Sequence, residues 1–212
     1  DWLRDHYKCF FCKSIPRNRA IIHILEMYFP KWREMKIHES SPGGVSSDKI
    51  ARECKHYTPT QFWQDTPLGS SKNGIRCENL ERMTFEDNSF DLMVTQDVME
   101  HVFNPDKAFK EISRILKPGG AHVFTVPLYA REKTLIRAVE SGEGIQYLAP
   151  KDFHGNPIDN SGSLVTREWG NDLVDFIYEH SKMTSTVYHT EDRRLGLDGK
   201  FLEVVVSRKC AD

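Results

Sequence analysis

The chain has 212 residues, enough for one domain with a substantial buried core, and its 29 Lys and Arg residues nearly balance 31 Asp and Glu, for a formal net charge of -2. This balance gives no general attraction to nucleic acid or to an anionic membrane, so neither is predicted as a partner. No apolar run reaches the roughly 18 to 20 residues of a membrane-spanning helix, and residues 1–10 lack the pattern of a secretory signal. We therefore predict a soluble, cytoplasmic protein.

The cysteines are few, odd in number and scattered, which is typical of reduced thiols rather than of a disulfide framework. They are Cys9, Cys12, Cys54, Cys77 and Cys210. Only "CFFC" has metal-ligand spacing, and a structural zinc site needs four ligands. Zinc at Cys9 and Cys12 is predicted only if further ligands exist, from His6, from His23 or from cysteines preceding residue 1; the alternative is a surface loop with two thiols. No other metal site is predicted.

A helix is predicted near the N-terminus. "IPRNRAIIHILEMYFP" has apolar residues at helical spacing and is stopped by Pro30, so it predicts an amphipathic helix packed across a sheet. Arg17 and Arg19 precede its apolar face. They either meet an acidic substrate or phosphate, or simply begin the helix in solvent.

Three strands are predicted next. "EMKIHES" predicts the first strand, and Ser46 or Ser47 in the following turn is expected to cap a helix over residues 48–53. "KHYTPTQFW" predicts a second strand closed by Pro59. A turn at Asn73 and Gly74 leads into the third strand.

The best-defined block is a strand, a helix and a strand. "FDLMVTQ" is typical of a strand buried on both faces. "NPDKAFKEISRILKPGG" predicts a helix with Asn104 as N-cap, Pro105 in the first turn and Gly119 as the stop. "AHVFTVPL" returns as the next strand, so the two strands are expected to be parallel, joined by a right-handed crossover.

Glycines and prolines break residues 129–163 into a predicted loop-rich insertion, which in such folds shapes the ligand pocket. A helix follows in "TREWGNDLVDFIYEHS". "MTSTVYHT" and "FLEVVVSRK" then predict an antiparallel hairpin. The predicted fold is α/β: a doubly wound, mostly parallel, seven-stranded Rossmann-like sheet with a C-terminal antiparallel hairpin. We expect residues 1–30 to form a CxxC segment and helix, and residues 31–212 to form the main domain.

A family resemblance rests on residues 85–127. "FEDNSFDLMVTQDVMEHVFNPDKAFKEISRILKPGGAHVFTVP" resembles the central block of class I S-adenosylmethionine-dependent methyltransferases, of the small-molecule, type 11-like kind. The resemblance implies a methyltransferase domain over residues 31–212 and S-adenosylmethionine as cofactor.

The resemblance also implies a first cofactor motif, Glu-x-Gly-x-Gly-x-Gly, at the end of the first strand. Aligned on Glu39, this chain has Ser41, Gly43 and Val45 at the glycine positions, so one glycine of three is in place. The Ser-Pro-Gly-Gly turn can still accommodate the methionine half, with Glu39 near its amino group; the alternative is an ordinary strand-to-helix turn.

Other cofactor contacts are implied in the same way. Thr58 or Gln61 stands where the family has an acid for the ribose hydroxyls, and Asn79 replaces the aspartate that accepts from the adenine amino group. Leu80 flanks the ring. The predicted cofactor-binding residues are Glu39, Ser40, Ser41, Gly43, Thr58, Asn79, Leu80, Thr95 and Gln96.

The candidate catalytic bases are His101, in "QDVMEHV" beside Asp97 and Glu100, and His154 in the insertion. Each is alternatively an ordinary packing or loop histidine, and methyl transfer needs a base only for a hydroxyl or a protonated amine. Tyr129, Arg131 and Tyr147 are weaker candidates for acceptor contacts.

The sequence thus predicts a methyltransferase acting on oxygen or nitrogen of a small-molecule or sugar-like acceptor. Two alternatives stay open. One is a catalytically inactive methyltransferase-fold scaffold or binding protein, since glycines and the ribose acid are missing. The other is a binding module in which "CFFCKSIPRNR" is the remnant of a zinc ribbon that contacts phosphate or nucleic acid.

Overall fold

The computed structural model describes residues 3–155 and 162–211. Residues 156–161, which include Pro157 of the predicted insertion, lie outside the described residues. The helices are α1 (Leu3–His6), α2 (Pro16–Tyr28), α3 (Gly44–Glu53), α4 (Pro105–Ile115) and α5 (Leu173–Ser181). Short 3-10 turns span Trp32–Glu34 and Arg193–Leu195.

The main sheet is eight-stranded, in the order β13-β14-β6-β5-β1-β2-β4-β3. Its strands are β1 (Lys36–Ser40), β2 (His56–Gln61), β3 (Ser71–Lys72), β4 (Ile75–Cys77), β5 (Phe90–Gln96), β6 (Leu116–Thr125), β13 (Thr184–Tyr188) and β14 (Val204–Arg208). The strands β4, β2, β1, β5 and β6 run parallel, and β14 and β13 pair antiparallel beyond β6. The predicted fold class is confirmed, with one short edge strand, β3, beyond the seven predicted.

Helices cover both faces of this sheet. Along β5, Leu92 and Val94 enter an apolar cluster with residues of α2 and α3, while Met93 enters a second cluster with residues of α4 and α5. Alternation of this kind follows from the two-residue period of a strand. The sheet is therefore buried on both faces, as a doubly wound fold requires.

The predicted strand-helix-strand unit is confirmed, with a shorter helix. Asn104 is the N-cap of α4 and Pro105 its first residue. The helix ends at Ile115 instead of Gly119, because the chain turns directly into β6. Gly120 allows this path: a Cβ there would lie 2.8 Å from the carbonyl oxygen of Lys117 and 2.9 Å from that of Asp91.

Two local predictions were wrong. Pro59 lies inside β2 rather than closing it. The carbonyl of Thr60 accepts from Ser41 on the β1 side, so Pro59 faces away from β1. The neighbour on that other side, β4, pairs with β2 only at Thr60 and Gln61. The backbone N–H that Pro59 lacks is therefore not used in this pairing. Ser46 and Ser47 are not caps, because α3 begins at Gly44, with Gly43 as its N-cap.

The region predicted as an insertion, together with residues 164–168 that follow it, carries short antiparallel pairs. The strands are β7 (Leu135–Ile136), β8 (Ala138–Ser141), β9 (Gly144–Tyr147), β10 (Phe153–His154), β11 (Ser163–Leu164) and β12 (Arg167–Glu168). They pair as β7 with β12, β8 with β9 and β10 with β11. The backbone N–H and hydroxyl of Thr166 both donate to the carbonyl of Glu100, which ties this region to the segment after β5.

Helix α2 shares one apolar cluster with the main sheet, since Ile21 and Leu25 pack with Ile37 of β1 and Val123 of β6. The division at residue 30 remains a prediction. Within residues 3–155 and 162–211, none of the helices has the length and apolar character needed to cross a membrane.

Candidate active site

The carboxyl ends of β1 and β5 bring Glu39 and Gln96 together, as expected for neighbouring parallel strands. The Gln96 amide nitrogen donates to Glu39 Oε1 over 2.9 Å, and Ser46 Oγ donates to the Gln96 amide oxygen over 2.7 Å. Two residues predicted from different motifs thus lie in one polar network. Ser46, assigned to a cap from the sequence, completes it from the first turns of α3.

The buried Glu39 carboxylate supports the turn after β1 through hydrogen bonds. Its side chain is fully buried and accepts from Ser47 Oγ, Tyr57 Oη and Gln96, while Ser47 Oγ in turn accepts from the Gly43 N–H over 2.9 Å. Burial raises the pKa of the Glu39 carboxyl, although these donors work against it. Glu39 therefore holds the turn in place rather than reaching the open edge itself.

The turn leaves open space at Gly43. A Cβ built on Gly43 would meet nothing within 4 Å, and a cavity of about 220 Å³ lies beside it, lined in part by Pro42, Ser47 and Tyr57. Gly44 differs: its φ is +75°, and the Asn18 side chain lies 3.5 Å from where its Cβ would be. The single glycine that keeps the family position is thus the one with room for a ligand, and the turn fits the methionine half of S-adenosylmethionine.

Asp97, directly after β5, binds two arginines of the N-terminal segment. Arg4 Nη2 lies 2.6 Å from both carboxylate oxygens, Arg17 Nη1 lies 2.6 Å from Oδ2, and Thr125 Oγ1 donates over 2.9 Å. Burial acts to raise the pKa of Asp97, but the two guanidinium groups hold it below its usual value. Arg17 was a sequence candidate for an anion; Arg4 was not, because a lone arginine 93 residues from Asp97 gives no signal.

The predicted adenine side lies after β4. Asn79 Oδ1 accepts from the Glu81 N–H over 2.8 Å, and an amide oxygen has a second lone pair for an adenine amino group. Leu80 is 7% exposed and packs in the cluster below α4. Asn79 therefore keeps one lone pair for the predicted adenine contact. Leu80 can offer that ring only the small exposed part of its side chain.

Two predicted cofactor residues are not brought to the edge. Thr58 lies in the middle of β2, opposite His38. Thr95 is fully buried, and its hydroxyl shares a 2.9 Å hydrogen bond with His122 Nε2. Three others do lie at this edge. Ser40 is the last residue of β1 and Ser41 follows it with φ +55°. Gln61 is the last residue of β2.

The two candidate bases, His101 and His154, lie next to each other and close to Glu100. The rings of His101 and His154 meet edge to face with centroids 5.4 Å apart. His101 Nε2 and His154 Nδ1 each lie 3.9 Å from Glu100 Oε1. Burial, and then the Asp97 carboxylate, raise the pKa of Glu100 well above its ordinary value. Burial also lowers the pKa of His101, so this imidazole favours its neutral form.

The weaker acceptor candidates separate into two places. Arg131 pairs with Glu168 over 2.6 Å and lies over the Tyr129 ring. Tyr147 is 39% exposed, with the Lys151 ammonium over its ring. These contacts leave their roles as predictions.

The CxxC segment carries a reactive thiol. Among residues 3–155 and 162–211, no third His, Cys, Asp or Glu joins Cys9 and Cys12 in a possible metal cluster, so zinc there stays conditional on other ligands. The hydroxyl of Ser14 lies 3.1 Å from Cys12 Sγ, and this contact above all lowers the pKa of the exposed Cys12 thiol to about 7.

We expect Cys12 to alkylate with an apparent pKa of about 7. Ser14→Ala should move the midpoint of the rate-against-pH curve upward, because the thiolate loses its main donor. Mass spectrometry of the Cys12 peptide after timed iodoacetamide exposure measures this. An identical midpoint in Ser14→Ala would show that the hydroxyl does not stabilise the thiolate.

Comparison with known proteins agrees with this geometry. Residues 44–124 match a family described as a methyltransferase domain. Among solved structures, the chain is similar to the 1,6-didemethyltoxoflavin-N1-methyltransferase of Burkholderia thailandensis, which was crystallised with 1,6-didemethyltoxoflavin and S-adenosylhomocysteine bound. The TM-score is 0.55 and the identity 13%, over 92% of this chain and 78% of that one. It is similar to an S-adenosylmethionine-dependent methyltransferase of Mesorhizobium loti at TM-score 0.55 and 16% identity, over 90% and 98% of the chains. At these identities the structures show the fold alone.

The predicted resemblance to S-adenosylmethionine-dependent methyltransferases is thereby confirmed, for residues 44–124 by the family match and for the fold by the solved structures. A curated relative, the ubiquinone biosynthesis O-methyltransferase of Cronobacter sakazakii, is 26% identical over 122 residues, which are 53% of this chain and 49% of that protein. The chain spans about half the length of the curated relatives it matches.

Proposed function

We propose that this protein transfers a methyl group from S-adenosylmethionine to an oxygen or nitrogen of a small-molecule acceptor. The observation that carries the proposal is the open space at Gly43, on a turn that Glu39 and Ser47 hold in place through hydrogen bonds. Directly after it come residues 44–124, which match the methyltransferase domain family. The name of the curated relative favours an acceptor oxygen.

The chain's own residues have separate tasks in this proposal. S-adenosylmethionine, when bound, supplies a methyl group activated on a sulfonium. The turn from Ser40 to Gly43 binds the methionine half, Gln61 binds the ribose in place of the missing acid, and the Asn79 amide oxygen accepts from the adenine amino group. Gln96 keeps the turn and β5 in register through its bonds to Glu39 and Ser46.

The acceptor side of the proposal rests on residues 129–155, where His154 Nδ1 lies 3.9 Å from a carboxylate oxygen of Glu100, in the segment after β5. A hydroxyl acceptor needs a proton removed as the methyl group arrives. His101 donates its Nδ1 hydrogen to the Leu164 carbonyl over 2.9 Å, which leaves the Nε2 lone pair free to take that proton. His154, less buried, is the second candidate.

An inactive scaffold is the alternative function. It is favoured by the polar network that already satisfies Glu39 and Gln96 without a ligand. It predicts that the protein binds no S-adenosyl compound.

Titration with S-adenosylhomocysteine tests the proposal. We expect wild-type protein to bind it and Gly43→Val to weaken binding at least tenfold, because the valine side chain fills the space at the turn. The φ of Gly43 is -163°, extended backbone that valine adopts readily, and its Cβ meets no protein atom. The free energy of unfolding should therefore change little.

Gly142→Val is the matched control, since a Cβ at Gly142 also meets nothing within 4 Å and lies on the β8–β9 turn. It should bind like wild type. No detectable heat with wild-type protein, together with an unchanged melting temperature, would overturn the proposal in favour of the scaffold.

A further inference from the structure

Glu100 is a buried carboxyl that has no hydrogen-bond partner among residues 3–155 and 162–211. Its side chain is 2% exposed, and both of its carboxylate oxygens are unpaired within these residues. Its backbone is held in place, since its carbonyl accepts from both the N–H and the hydroxyl of Thr166. A buried acid left unpaired costs several kcal/mol unless a ligand or a proton compensates it. This side chain is therefore the feature that requires an explanation.

Two imidazole nitrogens face the same carboxylate oxygen. Because His101 Nδ1 donates to the Leu164 carbonyl, its Nε2 carries the lone pair, and it points toward Glu100 Oε1 at 3.9 Å. His154 Nδ1 lies at the same distance from that oxygen on the other side. Both separations are too long for hydrogen bonds. The carbonyl bond to His101 is the kind of support that fixes the tautomer of metal-binding histidines.

We propose that Glu100, His101 and His154 bind one divalent transition-metal ion. One ligand atom of each residue lies within 4.8 Å of the others. Two ligands of one tetrahedral metal stand about 3.4 Å apart, so binding draws the three side chains together by a fraction of an ångström to about 1 Å. Imidazole and carboxylate suit zinc, manganese, iron(II) or cobalt rather than calcium.

The site is open on one side. Glu100 is buried, while the His154 side chain is 39% exposed and belongs to the short strand β10. Three protein ligands with an accessible further position are typical of metal sites that act on a substrate rather than of structural ones. If the proposed methyl transfer holds, a metal there would lower the pKa of the acceptor hydroxyl, so that its proton is released to solvent. This would replace proton removal by His101, whose Nε2 lone pair the metal would occupy, and it rests on the proposed function.

Nearby positive charge does not exclude a cation. Arg4 and Arg17 are the basic groups close to Glu100, and both are paired with Asp97. Asp5 also pairs with both arginines, over 3.4 and 3.3 Å, so two acids balance two bases. A metal at Glu100 therefore adds charge beside an ion cluster that is already internally compensated.

Calorimetric titration of EDTA-treated protein with zinc, and separately with manganese, tests the site. A Cys9→Ser, Cys12→Ser background removes the other possible ligands. We expect one equivalent to bind, and His154→Ala to weaken the affinity at least tenfold while leaving the unfolding curve of the metal-free protein unchanged, since this side chain is partly exposed. Cobalt should give the visible absorption of a low-coordinate site in the parent and lose it in His154→Ala.

His189→Ala is the control, because His189 is exposed and pairs only with Glu203 among the described contacts. It should bind metal like the parent. Equal affinity in His154→Ala and the parent, or no binding at all, would overturn the proposal and leave Glu100 as a protonated acid. S-adenosylhomocysteine binding in the metal-free protein separates this failure from failure of the proposed function.

Discussion

Asp97→Asn is expected to lower the free energy of unfolding by about 3 to 5 kcal/mol. The substitution keeps the shape of the side chain, and asparagine tolerates the φ of +52° at this position. It removes the charge that compensates Arg4, whose side chain is 3% exposed and whose Nη2 contacts both carboxylate oxygens. The buried guanidinium then keeps only the looser pair with Asp5, at 3.4 Å, and this loss of its close counter-charge is the physical cause. Urea unfolding near neutral pH measures it.

Asp198→Asn is the matched control for Asp97→Asn. Asp198 pairs with Arg193, which is 82% exposed, so the same chemical change at this pair should cost no more than about 1 kcal/mol. Adding Arg4→Met to Asp97→Asn should recover part of the loss, because no buried charge is then left alone. If Asp97→Asn costs no more than Asp198→Asn, the arginines do not hold the N-terminal segment on the sheet.

Stability is expected to fall in mild acid because of His38 and His122. Both are fully buried, and burial lowers the pKa of each to about 3. In the unfolded chain the pKa is about 6.5, so protons bind the unfolded state preferentially. The stability contribution is complete above about pH 6.5 and is lost as the pH falls toward 3. The stability lost by pH 5 is about 2 kcal/mol for each histidine.

Variants isolate this effect from other groups. His38→Gln and His122→Gln keep a polar atom near Thr60 and Thr95, which the two Nε2 atoms contact over 2.8 and 2.9 Å. Unfolding in urea near pH 7.5 and near pH 5 should show a smaller acid loss in the double variant than in wild type. The buried carboxyls of Glu39 and Glu100 act in the opposite direction, so the comparison between variants carries the result.

A double variant that loses as much stability as wild type between these pH values would contradict the assignment.

The parts of the fold that the sequence predicted are those coded by neighbouring residues. The buried strand before α4, the start of α4 after Asn104 and the Asn73–Gly74 turn depend on local periodicity and backbone preference, and all three are present. The Asn104 side chain, however, makes no capping hydrogen bond and donates to Glu81. The errors came where tertiary contacts decide. Gly120 fits between two carbonyls and lets β6 begin early, which no periodic pattern records.

The candidate site follows the same division. Glu39 and Gln96 were predicted because the family resemblance implied them, near the ends of two strands that the pattern revealed, and they contact each other. Thr95 was placed at the edge, but the strand directs its side chain to His122 in the core. The grouping of His154 with Glu100 depends on the path of residues 129–155, which glycines and prolines do not specify.

The contacts of the N-terminal segment have a consequence for how the protein is made. Arg4 Nε donates to the carbonyl of Phe201, and Arg19 Nε donates to the carbonyl of Gly196. β14, which follows these carbonyls, inserts between β6 and β13. A ribosome releases the early residues long before these partners exist, so the N-terminal segment and the Asp97 cluster are fixed only after residues 196–208 have emerged. Nascent chains halted before that point should form the turn at Gly43 without a docked N-terminal segment.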